Sequence, residues 1–486
     1  MNTEKNKIMN KKLFSILGLS VGVLFYAQDV SVIRNTVDVY SDTQPNGSAK
    51  YMGMAGAMGA MGGDASSINA NPAGVAVNIV GEFSGTLNAL GNKNTSTLAN
   101  KSYDEVYKKA NLGHLGGVVV MQTSNNSKWK FINLGFNYST KDIDSYIRTP
   151  ENHVVNAIAT YTDEKGNKQT DVLLYDGHAY NRMGHTSKLS FAFGGNYDHK
   201  WYVGGGVHFH SANIEQGDFF RMQSQTAGTK GLYQKQETPF QESSDGMAIS
   251  AGIIGKIDKN FRVGLALESP TWWNIERSYN YYGLDSNGIV GTALGNENRR
   301  LSTPMKATLS GAYVANKNFA VNLDYTLGLT KPQYNVQGDA EEQLNKFFDK
   351  VYSNTSELRL GAEYRLDNWR LRGGYAYQSN PFSNASLSVI DATNGFSSDR
   401  TFNNLYLSSR QTLGLGLGYN FKSFYVDAAY QNTSTSFSNP FFAGAYASPS
   451  DNSVFNEGDG VYQKDSIVSD VKTVRNNFVF TVGWRF

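Results

Sequence analysis

"QTLGLGLGYNF", residues 411–421, decides the fold. In an extended chain Leu413, Leu415, Leu417, Tyr419 and Phe421 share one face, while Gly414, Gly416, Gly418 and Asn420 share the other. A helix would scatter both sets around its axis. The same period of two runs through "NFRVGLALES", residues 260–269, and "LRLGAEYRL", residues 358–366. These runs reach about ten residues, against about five or six for a common globular strand. A tilted strand that crosses a bilayer needs roughly 9–11.

Fourteen such segments are predicted, near 82–90, 114–121, 129–139, 186–196, 199–212, 247–257, 260–268, 305–316, 319–329, 356–366, 369–378, 411–421, 423–435 and 476–486. The connections alternate in length. Short turns stand at "YDHK" (197–200), "DKN" (258–260), "NKN" (316–318), "DN" (367–368) and "KS" (422–423). Long polar segments stand between them, at 140–185, 213–246, 269–304, 330–355, 379–410 and 436–475. An even strand count with short turns on one side and long loops on the other predicts an all-β fold. The expected form is a 14-stranded antiparallel transmembrane β-barrel of the bacterial outer membrane, with its short turns in the periplasm. Trp129, Trp201, Trp369 and Trp484 lie next to short turns or the terminus, where amphipathic rings suit the membrane interface.

Composition agrees and excludes other classes. Gly is high at 49, Tyr and Phe number 29 and 27, and Pro only 10, a mix that favours aromatic strands over helices. A net charge of +2 gives no electrostatic case for nucleic acid. The absence of Cys leaves no disulfide framework, thiol nucleophile or thiolate metal site. "MNKKLFSILGLSVGVLFYAQ", residues 9–28, has Lys11 and Lys12 before an apolar run ending at Ala27, so residues 1–27 read as a secretory signal peptide. The divisions that follow are an N-terminal extension and hatch, 28–81, and a barrel, 82–486. His208 and His210 share one strand face but show no third metal ligand. His185 and Ser187 belong to no recognisable hydrolase motif. No metal, cofactor or catalytic activity is therefore expected.

One stretch does not fit a barrel strand. "YMGMAGAMGAMGGDA", residues 51–65, is mostly Gly and Ala, and "SSINANPAGVAV", residues 66–77, follows it. Small residues allow tight folding against a wall, and Pro72 biases Asn71 away from helix. A fourteen-strand barrel is wide enough to need a plug, so residues 47–81 are expected to fill its lumen. The Gly-rich run, Asp64-Ala65 and then Asn71-Pro72-Ala73-Gly74 resemble the hatch of the FadL/TodX outer-membrane transporters of hydrophobic compounds. "LALESPTWWNIE" (265–276) and "LRLGAEYRLDNWRLRGGYAYQSNP" (358–381) resemble further parts of that family, and the closing "NFVFTVGWRF" resembles a barrel-insertion signal ending in Phe486.

The resemblance implies passive uptake of hydrophobic or amphipathic small molecules such as long-chain fatty acids. Ligand would be captured between outer loops and released sideways near the third strand, at Asn133 or Gly135. Trp272, Trp273, Tyr279, Tyr281 and Tyr282 of the loop 268–284 are the expected capture groove. Opposite the lipid face lie Lys256, Arg262, Glu268, Lys306, Asp324, Arg359, Glu363, Arg365, Arg370, Arg372, Asp427 and Arg485. Most are expected to hold the hatch. Arg359, Arg370 and Arg372 are candidates for binding a ligand carboxylate, since guanidinium matches its geometry. The alternative is a barrel of the same family that docks as a subunit of an outer-membrane secretion or assembly complex. The partners expected are then the ligand, outer-membrane lipid and an undefined protein, with no nucleic acid.

Overall fold

The computed structural model describes residues 30–124, 126–162, 166–284, 290–447 and 461–486. Residues 1–27, read above as a signal peptide, lie outside these. Among the described residues fourteen antiparallel strands close on themselves. In chain order they are β1 (Glu82–Leu98), β2 (Lys101–Gln122), β3 (Trp129–Thr149), β4 (Lys168–Tyr197), β5 (Trp201–Ser224) and β6 (Phe240–Lys256). Next come β7 (Phe261–Glu268 continued by Trp272–Leu284) and β8 (Val290–Ser302 continued by Lys306–Val314). The rest are β9 (Phe319–Gly328), β10 (Ser356–Leu366), β11 (Trp369–Gln378), β12 (Arg410–Asn420), β13 (Phe424–Phe441) and β14 (Ile467–Arg485). β1 pairs with β14 from Glu82↔Arg485 to Thr97↔Asp470, so no edge remains open.

The predicted alternation faces as expected. Leu413, Leu415 and Leu417 are about half exposed on the lipid face, as are Leu265, Leu267, Leu358 and Leu360. Trp129, Trp201, Trp369 and Trp484 are exposed in a ring at the short-turn end. The short turns carry the left-handed backbone that tight hairpins require, at Asp198, His199 and Asp367.

The predicted long loops differ from what forms. Much of 140–185, 213–246 and 269–304 is strand, because β3 to β8 run well past the apolar band. The segment 330–355 holds a helix, α2 (Asp339–Val351), whose Leu344, Phe348 and Val351 are buried over the barrel mouth. Length and polarity identified these segments as outside the lipid but not as ordered. A closed, hydrogen-bonded barrel resists detergent until heated. Unheated and boiled samples are expected to migrate differently on a gel, and identical mobility would contradict closure.

Candidate functional site

The lumen is filled by the chain's own N-terminus, in two layers. The layer nearer the short turns is the hatch. Ser48 caps a single turn, α1 (Ala49–Gly53), and its hydroxyl also donates to Asp64 Oδ2 at 2.8 Å. Asp64 Oδ1 accepts from the Ser66 amide at 2.7 Å and starts the 3-10 turn Ala65–Asn69. Asn71 caps the next 3-10 turn, Pro72–Val77, by accepting from the Ala73 amide at 3.0 Å, while its Nδ2 donates to Gly59 O at 2.9 Å. Ala73 and Gly74 are buried in that turn, and the Gly74 carbonyl accepts from the Gly63 amide at 3.3 Å. The Asp64, Asn71 and Pro72 of the expected hatch thus hold its turns together, as short side chains that bond local backbone do at caps.

The wall grips this layer through backbone groups. Asp324 accepts from the Gly59 amide with both oxygens, at 3.2 and 3.0 Å, and Asn322 Oδ1 accepts from Ala60 N at 3.2 Å. Arg262 donates to Met61 O at 3.2 Å. Asn133 Nδ2 donates to Val75 O and Asn78 O, both at 2.8 Å. The inward glycines explain the composition. A Cβ on Gly204 would lie 2.7 Å from Ala73 N, and one on Gly374 would lie 2.2 Å from the Met54 carbonyl carbon. The hatch therefore packs backbone to backbone on a glycine-lined wall.

The second layer was not expected as a plug. Residues 30–40 are helical, the last turn Thr36–Tyr40 being a π-helix, and they lie buried nearer the long-loop end. Val32, Ile33, Val37 and Val39 pack in one apolar cluster with Ile214, Trp273, Leu301, Tyr334 and α2. Polar ties surround the helix. Arg182 donates to Asn35 Oδ1 at 2.8 Å and pairs with Asp38. Glu242 accepts from Asn35 at 3.1 Å and from the Tyr40 hydroxyl at 2.9 Å. Burial opposes ionisation of Asp42, yet Arg410 at 2.6 Å and Lys141 hold its carboxyl well below the ordinary range.

Between the layers and the wall lies a cavity of about 170 Å³, lined among others by Tyr40, Lys188, His210, Glu268, Trp273, Lys306 and Arg359. Lys188 and Lys306 flank Glu268 at 3.6 and 3.7 Å. Two lysine amines thus share one carboxylate at this point of the wall. Trp273 Nε1, His210 Nε2 and Arg359 Nε are buried with no hydrogen-bond partner among the described residues.

The sequence-predicted ligand residues separate here. Trp272 and Trp273 sit on a strand, so they point to opposite faces. Trp272 is 49% exposed on the lipid side; Trp273 is 3% exposed, edge-on to Tyr40 at 5.0 Å. Both stand on a strand and not in a loop. Tyr279 is half-buried further along the same strand, and the side chains of Tyr281 and Tyr282 lie outside the described residues. Arg359 reaches the cavity, where Nη2 donates to Thr43 O at 2.8 Å and to Glu357 at 2.6 Å. Arg372 is enclosed by Glu363 and Asp427, each at 2.8 Å, beside the hatch. Arg370 caps the short turn through Asp367 O and Trp369 O. Neither Arg370 nor Arg372 lines the cavity, whereas Lys188 does and was not singled out.

Other expectations are redrawn too. β3 keeps continuous pairing with β2 through Asn133 and Gly135 and leaves it only past Ser139↔His114, so no gap opens at those two residues. Gly135 abuts Val75 of the hatch instead. His208 is satisfied by Ser190 and Ser250, both at 2.8 Å, and points to the lumen. Among the described residues no cluster of His, Asp and Glu could hold a metal.

A closed lipid-facing barrel with an internal plug and a charged inner cavity defines an outer-membrane transport channel. Residues 185–439, just over half of the chain, match the family described as outer membrane protein transport protein (OMPP1/FadL/TodX). The chain belongs to that family. It is similar in fold to a Pseudomonas aeruginosa FadL homologue, with a TM-score of 0.55, 15% identity, and coverage of 90% of this chain and 98% of that one. It is likewise similar to the Pseudomonas putida toluene transporter TodX, with a TM-score of 0.53, 11% identity, and coverage of 91% and 99%. The Ralstonia pickettii toluene transporter TbuX gives 0.50, 13%, 91% and 99%. No curated protein sequence matches the chain.

Proposed function

We propose that the barrel admits hydrophobic molecules carrying one carboxylate, long-chain fatty acids among them, across the outer membrane without an energy source. The inner cavity holds the carboxylate, and the tail lies along Tyr40, Val39 and Ile143 at its upper side. The observation that supports this reading most directly is the pair Lys188 and Lys306 around a single Glu268, beside the unpartnered Trp273 and His210 nitrogens. A buried excess cation favours an anion that water no longer screens. A neutral hydrocarbon gains nothing from it.

The double variant Lys188→Gln/Lys306→Gln is expected to weaken oleate binding at least tenfold, which needs only about 1.4 kcal/mol. Binding of oleyl alcohol should change much less. Calorimetry on refolded protein compares the two. Equal losses for both ligands, or none, would remove the cavity from the transport path. The alternative, a docking subunit of a larger assembly, draws support from the double plug, whose two layers lie buried in the lumen. A stoichiometric complex on mild purification would favour it.

A further inference from the structure

The short-turn end of the barrel is a bonded ring. Each turn gives a backbone carbonyl to the strand beyond it. Asp198 N donates to Lys128 O at 2.7 Å, Lys256 N to Lys200 O at 2.9 Å and Arg485 N to Ser423 O at 2.8 Å. The carbonyls of Asn260, Asn318 and Asn368 accept in the same way. Gly81 and Phe486 exchange bonds of 3.1 and 3.0 Å and close the circle. The turns are therefore held at fixed positions around the rim.

Every one of these turns carries or adjoins a cation. Lys128, Lys200, Lys259, Lys317 and Lys422 are exposed on five of them. The turn Asp367-Asn368 is flanked by Arg365 and Arg370 instead. None of the five lysines makes a side-chain hydrogen bond or ion pair among the described residues. The carboxylates of the rim have other work. Asp258 accepts from Asn260 N at 2.7 Å and from Phe261 N at 2.8 Å, which shapes its turn. Asn316 accepts from Asn318 N at 2.8 Å and from Phe319 N at 3.0 Å, the same pair of bonds without a charge. Asp198 and Asp367 occupy left-handed turn positions, at φ 55° and 49°, which Asp tolerates. The acids thus serve the turns, and the lysines do not. At the long-loop end exposed cations are paired: Lys93 with Asp104 at 2.8 Å, Lys101 with Glu151 at 2.9 Å and Arg148 with Glu105 at 3.1 Å.

The height of the ring identifies what it meets. Lys128 directly precedes Trp129, Lys200 directly precedes Trp201, and Trp369 and Trp484 are each followed by an arginine. These four exposed indoles form the aromatic girdle, whose level is that of the lipid headgroups. A lysine ammonium on its four-carbon stem reaches the phosphate layer just beyond the rings. Short turns face the periplasm in outer-membrane barrels, so the leaflet met is the inner one, which is phospholipid.

We propose that the rim is a docking ring for anionic phospholipid of the inner leaflet, its five turn lysines holding lipid phosphates around the whole circumference. The distribution selects the partner. An acidic protein would meet one arc of the rim, whereas a lipid annulus meets all of it, and cations stand all the way round. A lipid phosphate at the girdle is also the anion that lies beside both an indole and an ammonium.

The test follows the composition of the annulus. Trp272→Phe removes the exposed indole at the long-loop end, and Trp273 is buried, so quenching in this background reports the rim. Full-length protein is placed in vesicles of phosphatidylcholine mixed with phosphatidylglycerol, with brominated acyl chains on one lipid or on the other. Both leaflets then share one composition, so the direction of insertion does not matter. Phosphatidylglycerol is expected to be preferred at least about threefold at low salt, and the preference should collapse in molar salt. Lys128→Gln, Lys200→Gln, Lys259→Gln, Lys317→Gln and Lys422→Gln together should abolish it. Arg at the same five positions should keep it. Heat-modifiable mobility checks that each variant is folded. A parent without preference overturns the docking ring, and so does a preference that survives the Gln changes. Equal loss with Gln and with Arg overturns the account by charge. A parent that ignores the lipid headgroup but retains an acidic protein in fixed ratio would assign the ring to that protein and overturn the lipid.

Discussion

Removal of residues 30–81 from the mature chain should turn a closed barrel into an open pore, raising single-channel conductance in planar bilayers by at least roughly tenfold. Both lumenal layers must go. Loss of the hatch alone leaves the helix 30–40 wedged in its apolar cluster and tied to Arg182 and Glu242. Loss of residues 30–46 alone leaves the hatch bonded to Asp324, Asn322 and Asn133. Either partial deletion is expected to give a much smaller rise than the full one. The barrel should still close, because the pairing of β1 with β14 from Glu82↔Arg485 to Thr97↔Asp470 involves none of these residues, and only the two bonds between Gly81 and Phe486 are lost. A full deletion that folds but conducts like the parent would place the segment outside the ion path. A point variant supplies the same test without deletion. Gly374→Leu puts a side chain where the Met54 backbone lies, so the hatch cannot seat and conductance should rise.

The strand count, facing and turn positions were legible because lipid imposes a strict period of two, and "QTLGLGLGYNF" reports it without interference. The hatch was legible as well, since its Gly-Ala run suits nothing a strand or helix needs. Two things were hidden, for different reasons. The helix 30–40 carries its apolar residues close together, and a short helix stable only inside a barrel leaves no long amphipathic signature. The inward turn of Trp273 depends on a register shift at Pro270 and Pro304. The sequence marks a break there but not which way each strand resumes. Lys188 escaped notice for a related reason. It becomes a cavity residue only because β4 continues in register with β5 through Lys188↔His210.

Arg372→Ala should be the most damaging single change in the wall, costing about 3–5 kcal/mol of barrel stability. Arg372 is buried between two carboxylates, donating to Glu363 and to Asp427 at 2.8 Å each. Its removal leaves Asp427 without a cation in contact, and leaves Glu363 the half-exposed Arg365 at 2.8 Å and the charge of Lys50 in the hatch. Water cannot compensate freely, because the hatch covers this part of the wall through Gly53 and Met54 against Gly416 and Gly374. The cost is therefore one of stranded charge, not of a lost contact, and that distinction is testable. In Arg372→Met/Glu363→Gln/Asp427→Asn all three charges are gone together, and most of the lost stability should return. Urea unfolding in lipid vesicles, followed by the heat-modifiable gel band, would rank parent and triple variant close together and the single variant far below. If the triple variant is as weak as Arg372→Ala, the ion triad contributes by shape and hydrogen bonding, and the stranded-charge account fails. If Arg372→Ala matches the parent, the hatch is loose enough at this level to admit water, and the deletion of residues 30–81 should then raise conductance less than the tight packing at Gly374 implies.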